Sequence, residues 1–237
     1  MLVALALLAV SAIYASVGQA GGTGFLAIMA VSGIPVDQLR PTALAMNIVA
    51  ASYTTWRLHS LGLIDWRRLL ALIAPALPAA FVGGLMALPA DLYVSFTGAL
   101  LIAVAVLMVM RPQTGRWTGV ACKAGLPVLG VAAGLLSGLS GIGGGVFIAP
   151  ALIVLGWARP KEAAGLSAPF ILGNSITGFV GTLYGGQSLA AEFPLYAAVA
   201  LLGAAVGAAF TQRISERAVR FILAAIVAIA GFRLISK

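Results

Sequence analysis

Apolar positions dominate the chain, and polar ones are gathered into short intervals between long greasy runs. Uninterrupted apolar stretches fall at about 41–56, 69–88, 92–110, 163–183, 193–212 and 218–232, close to the ~20 residues that a helix needs to cross a bilayer. Only Arg220 places a charge inside any of them. Two longer apolar regions, 2–32 and 124–156, behave differently. A glycine cluster splits each into two short pieces, "GQAGGTGF" (18–25) in the first and "SGLSGIGGGVF" (137–147) in the second, and either piece alone is marginal for a full crossing.

The pattern predicts an all-α integral membrane protein with about eight hydrophobic segments. Overlaying the chain on itself with a shift of about 121 to 125 residues brings "VGQAGGTGFLAIMAV" onto "GLSGIGGGVFIAPAL", matching Gly24 with Gly145 and Gln19 with Ser140. The same shift brings "TALAMNIVAAS" to the region of "AGLSAPFILGNS", and "APALPAAFVGG" onto "AVALLGAAVGA". The order is kept throughout, which implies a duplication: an N-terminal repeat half at 1–112, a cytoplasmic connecting loop at 113–123 and a C-terminal repeat half at 124–237.

Two topologies fit eight segments. If each interrupted region is one bent helix, the fourteen Lys and Arg residues split 8 to 6 across the membrane. If each is a broken hairpin that returns to its own side, leaving three full crossings per half, the split is 11 to 3, with only Arg40, Arg233 and Lys237 outside the cytoplasm. Basic residues are retained on the cytoplasmic side, so the second topology is preferred. An odd number of crossings per half also inverts one half relative to the other. The expected fold is therefore a pair of inverted repeats, each a glycine-interrupted hairpin plus three transmembrane helices.

Composition narrows the function. The chain is 62% hydrophobic and 8% charged, a balance that would leave a soluble domain with a sticky surface. Its formal charge of +8 is scattered singly through short loops, so no nucleic-acid partner is implied. One cysteine, Cys122, and one histidine, His59, give no ligand set for zinc, haem or iron–sulfur, and no cofactor or metal is expected. The N-terminal "MLVALALLAVSAIYAS" has no basic residue ahead of its apolar run and is read as a retained segment rather than a signal peptide. "GIGGG" lacks the Gly-Lys-Ser/Thr ending of a phosphate-binding loop. All six acids, Asp37, Asp65, Asp91, Glu162, Glu192 and Glu216, fall in loops or at span ends, which leaves no buried carboxylate relay and no catalytic pair. An enzyme is not expected.

Non-helical backbone survives at membrane depth only where protein or a watery cavity surrounds it. Two glycine breaks in inverted halves would meet near the midplane, each presenting backbone N–H groups and the positive end of the following helix to a small anion. The candidate lining residues are Gln19, Gly21, Gly22, Thr23 and Gly24 from the first half and Ser140, Gly141, Gly143, Gly144 and Gly145 from the second. Asn47 and Asn174 join them as the costliest polar residues to bury in the neighbouring spans, with Ser175 beside Asn174. The competing reading is that these small residues only let helices pack closely.

The two glycine motifs "GQAGGTGFLAIMAVSGIP" and "GLSGIGGGVFIAPALIVLGW", each followed by a short loop and a helix opening in "RPTALAMN" or "KEAAGLSAPF", resemble the sulfite exporter TauE/SafE family of membrane permeases over nearly the whole chain. The resemblance implies a multi-pass protein of the cytoplasmic (inner) membrane that moves a small sulfur-containing anion, such as sulfite or an organosulfonate, outward. The first motif departs from the second by carrying threonine in "GGTG", which questions equal contributions from the two halves. The expected partners are the anionic substrate and the lipid bilayer, and assembly as a homodimer is left open. The expected mechanism is a secondary transporter working by alternating access, against the alternatives of an anion channel with a backbone-lined filter, a carrier of another small anion, or a membrane assembly protein.

Overall fold

The computed structural model describes residues 2–110 and 125–209, with scattered helical positions between Phe221 and Ile235. The described elements are all helices: α1 (Leu2–Ser16), α2 (Gly22–Val31), α3 (Val36–Ser60), α4 (Trp66–Leu85), α5 (Ala90–Met110), α6 (Gly125–Ser140), α7 (Gly145–Val154), α8 (Pro160–Tyr184) and α9 (Phe193–Ala209). Each uninterrupted apolar stretch before 210 lies on one of these helices. The expected connecting loop at 113–123, Glu216 and most of the 218–232 segment lie outside the described residues. By length and hydropathy, α4 and the Lys161–Tyr184 part of α8 are long and apolar enough to cross a membrane.

Both glycine clusters break their helices. The first break runs through Gly18 and Gly21, with φ 76° and 114°, and the second through Gly141, Gly143 and Gly144, with φ 83°, 90° and 78°. These left-handed values are strained for any residue with a Cβ, so glycine is required there to end one helix and start the next. Elsewhere the starts follow ordinary capping chemistry. The Arg68 N–H donates to the Asp65 side chain at 3.1 Å, and the Arg159 N–H donates to Glu162 Oε2 at 3.0 Å with Pro160 opening α8.

Packing depends on small residues. Gly130, Gly134 and Gly138 recur every four positions along α6 and lie against the carbonyls of Leu72, Ala76 and Ala80 of α4, where an added Cβ would overlap backbone. The rising register means that α4 and α6 run side by side in the same direction. On the far side Gly203 and Gly207 of α9 lie on the carbonyls of Leu8 and Ala12, so α1 and α9 also run in the same direction. Between these pairs α3 and α8 run opposite to one another: Thr42 accepts from the Ala190 N–H at one end, and Gly165 abuts the Leu63 carbonyl at the other. The first residue of α6, Gly125, faces the indole of Trp157 just beyond α7, so α6 and α7 form a hairpin whose ends meet.

Large apolar side chains cover the outside of this assembly. Leu70, Val128 and Leu202 are 62%, 67% and 57% exposed on α4, α6 and α9. A soluble surface would not carry such a sheath, whereas a lipid-facing one requires it. One expectation is corrected. Arg40, counted among loop residues, lies in the second turn of α3 and is 1% exposed, because the helix begins at Val36 rather than at about 41.

The glycine seam of α4 and α6 gives a stability test. Replacing Gly134 with leucine forces the helices apart, at an expected cost of about 1–3 kcal/mol for overpacking. Melting of the purified protein in detergent should fall for G134L and stay unchanged for V128L, whose site faces outward on the same helix.

Candidate functional site

The two breaks meet where α3 and α8 cross. Gly22, the first residue of α2, lies so close to the carbonyl of Ile142 in the second break that no side chain would fit between them. The same spot is bounded by Asn47 of α3, whose Nδ2 donates to the Ile142 carbonyl at 3.3 Å. A Cβ on Gly143 would lie 2.8 Å from that Nδ2, 3.0 Å from Ile171 Cγ2 and 3.3 Å from Ser175 Oγ. A Cβ on Gly144, the N-cap of α7, would lie 3.3 Å from the Ser137 Cβ and 3.0 Å from the Phe170 ring. Gly22, Asn47, Gly143, Gly144, Ser175 and Ser137 therefore surround the start of α7.

The polar groups gathered there have unspent hydrogen-bonding capacity. Asn47, Ser137, Asn174 and Ser175 are fully buried. Among the described residues, Asn47 Oδ1, Ser137 Oγ, Ser175 Oγ and both amide atoms of Asn174 have no hydrogen-bond partner. Each unpaired buried group costs about 1–3 kcal/mol, so proteins seldom tolerate several together without a use for them. Ile171, Asn174 and Ser175 stand at i, i+3 and i+4 and so share one face of α8. The start of α7 adds backbone N–H groups that have no carbonyl four residues earlier within the helix, together with its positive end. The Ser137 and Ser175 hydroxyls, Asn174 Nδ2 and the helix N-terminus are donors that suit a small oxyanion, whereas the unpaired Asn47 Oδ1 is an acceptor and its Nδ2 already donates to Ile142.

The remaining expected residues serve other ends. The Thr23 hydroxyl is hydrogen-bonded to the Tyr14 hydroxyl. Gly21 lies against the Phe25 ring, and Gly24 against Val10 and Tyr14 of α1. Gln19 is buried, its backbone N–H donating to the Tyr14 carbonyl at 3.0 Å. Ser140 Oγ donates to the Leu136 carbonyl at 2.6 Å and accepts from the Ile142 N–H at 3.3 Å. The Ser140 carbonyl in turn accepts from Tyr93 Oη at 2.9 Å. Gly145 lies against the Ile171 side chain, and Gly141 against Arg40. Among the described residues, the unpaired Ser137 and Ser175 hydroxyls lie at the second break and Asn47 Oδ1 beside it, with Thr55 Oγ1 and Thr97 Oγ1 unpaired elsewhere on α3 and α5, while phenylalanine and a tyrosine–threonine pair occupy the first.

Two residues at this junction were not singled out by sequence. Ser137 lies one helical turn before the second break, and its glycine-rich surroundings hid it. Arg40 was the other, and its signal was present: "PVDQLRP" opens a helix after Pro35, which places Arg40 inside it. The Arg40 guanidinium donates to Gln187 Oε1 at 3.0 Å and to the carbonyls of Gly83, Gly84, Met86 and Leu139 at 3.3, 2.9, 3.0 and 3.4 Å.

The sequence is similar to those of known membrane transporters. The family model described as "Sulfite exporter TauE/SafE" matches residues 2–234. The chain is 29% identical over 238 residues to the "Probable membrane transporter protein y4hK" of Sinorhizobium fredii (strain NBRC 101917 / NGR234), covering 98% of this chain and 96% of that protein. No solved structure matches. With its sequence matched almost end to end, the chain belongs to the sulfite exporter TauE/SafE family of membrane transporters.

Proposed function

We propose that the chain is a secondary transporter that carries a small sulfur-containing anion, such as sulfite or an organosulfonate, outward across the inner membrane, by alternating access around the paired helix breaks. The observation that carries this reading is the convergence of Asn47, Ser137 and Ser175, with unpaired buried polar atoms, around the N-terminus of α7, with the unpaired Asn174 next to Ser175 on the same face of α8. A helix N-terminus flanked by amide and hydroxyl groups holds an oxyanion without a buried cation in contact with it. In this reading the second half supplies more of the site than the first.

The mechanism we infer uses two inverted halves that rock about the shared site. Several features support the inversion. α2 and α7 are each 10 residues long, and α3 and α8 are each 25. α1 packs on α9 as α6 packs on α4. The antiparallel crossing of α3 and α8 places equivalent loops, 61–65 and 185–192, at opposite ends of the molecule. The chemistry required is binding and release, so we infer no catalytic step.

Ser175 gives a test in which stability and activity move in opposite directions. Its hydroxyl is buried and unpaired within the protein, so S175A removes a desolvation cost and should leave the melting temperature unchanged or raised. If the hydroxyl serves the substrate, saturable sulfite flux in proteoliposomes should fall about tenfold, the equivalent of ~1.4 kcal/mol. Undiminished flux of sulfite would remove Ser175 from the site, and conductance far above carrier turnover would replace the carrier with a channel.

Topology is tested with single cysteines in a C122S background, using the exposed Ser60 and Ser188. Broken hairpins place S60C on the cytoplasmic side and S188C on the outer side, so a membrane-impermeant thiol reagent should label them from opposite faces of oriented vesicles. Simple alternation of eight crossings would put both on the same face.

A further inference from the structure

Arg40 is the buried charge that the anion site itself does not use. It is 1% exposed, and among the described residues no carboxylate pairs with it. Its partners are neutral oxygens from three separate places: the C-terminal end of α4 (Gly83, Gly84 and Met86), the end of α6 (Leu139) and the α8–α9 loop (Gln187). The first of these belongs to the same half as Arg40, and the other two to the opposite half. One side chain thus ties both halves together at the end of the molecule where α3 begins. The adjacent Ala190 N–H to Thr42 hydrogen bond at 2.9 Å fastens the same loop to the same helix.

The fold contains its own control for this residue. Gly141 of the second break abuts Arg40, and Gly18 of the first break abuts Ala164 in the matching place. α3 and α8 are equal in length and start 124 residues apart, which equates Arg40 with Ala164. The same helix–break contact is therefore made with alanine in one half and arginine in the other, so packing alone does not call for a guanidinium. Burying a charge without a counterion is expensive, and carbonyl oxygens offset that cost only while they stay in place. Arg40 also stands seven residues before Asn47, about 10 Å along the same helix and on nearly the same face.

We propose that Arg40 is the outer gate of the transport path, a guanidinium held by the carbonyls of α4 and α6 and by Gln187 while that end is closed, which exchanges some of them for the substrate oxyanion when it opens. The proposal rests on the alternating-access reading above. Rocking of the opposite half would take Leu139 and Gln187 away from Arg40 and leave part of its planar fork of donors available, and this fork matches two oxygens of a sulfite or sulfonate group. Substrate that leaves the α7 N-terminus would then meet a cation on its way out, and the Gln187 loop would close behind it.

The test uses the full-length protein in proteoliposomes, with C122S as background and a reporter cysteine at the buried Ala190. Labelling of A190C by an impermeant thiol reagent from the outer side should be slow at rest and at least tenfold faster with sulfite or sulfoacetate present. R40Q should speed resting labelling by a similar factor without substrate and raise the KM for sulfite more than it lowers kcat. R40K, which keeps the charge and loses the fork, should restore part of the KM and leave labelling fast. Resting labelling and KM unchanged in R40Q would overturn the gate. If the Arg40 variants fail to fold, A190C in the Arg40 protein decides: substrate-accelerated labelling supports the gate and an unresponsive rate refutes it. Absence of saturable sulfite or sulfoacetate flux in the unaltered protein would instead count against the proposed transport function, while the resting labelling comparison would still read the latch.

Discussion

A helix broken inside a membrane leaves N–H and C=O groups that lipid cannot satisfy, and the rest of this structure follows from where those groups are enclosed. Here each break is covered by the other. Gly22 of one sits on the Ile142 carbonyl of the second, and the Asn47 amide reaches the same carbonyl from α3. The long helices α3 and α8 cross at this point, near Asn47 and Ile171, the middle of each. Such close backbone approach is open only to glycine, which accounts for the clusters in otherwise apolar sequence. The seams of α6 on α4 and of α9 on α1 extend the same economy of volume outward, with carbonyls resting on glycines at four-residue intervals.

Equal lengths and reciprocal packing do not make the halves chemically equal. Asn47 lies against the first residue of α2, and the matching contact, Gly145 at the start of α7, is made by Ile171. Tyr14, Thr23 and Phe25 pack the first break with their own side chains, whereas Ser137 and Ser175 bring unpaired polar atoms to the second. A site shared equally would aim two helix N-termini at one point. This arrangement aims one, and fills the opposing side with an asparagine and a sealed helix start. In the proposed site the roughly half-unit positive charge of a single helix end would be the main local attraction, with the hydroxyl and amide groups setting its shape.

Much of the fold was legible in the sequence because its signals are physical requirements. Apolar runs marked the helices, and glycine clusters marked the breaks. The repeat register was less certain: matching letters equated Gly24 with Gly145, whereas the helix starts equate Gly21 with Gly144. The difference arises because glycine serves two needs here, left-handed backbone at Gly21 and close approach to Val10 and Tyr14 at Gly24, which a string of letters does not separate. Thr23 and Ser140 have the right chemistry for a site but spend their hydroxyls on near neighbours, a matter of geometry rather than composition. Arg40 was misread because a hydropathy window ends where a charge begins, although the helix carrying that charge continues past it.

The placement of charge bears on the proposed anionic cargo. Asp37, Asp91 and Glu162 sit in first turns and Asp65 caps α4, so these acids face helix N-termini that satisfy them at the rims. Arg40 is the one charged side chain among the buried described residues, and its partners are neutral. The interior therefore combines a helix N-terminus, a buried cation and uncharged polar groups, with its negative charges held at the periphery. A cation moving through such an interior would lose hydration without gaining a carboxylate. A small anion would exchange its water for the amide, hydroxyl and N–H groups around Gly143 and Gly144, and the field that disfavours the cation would favour it.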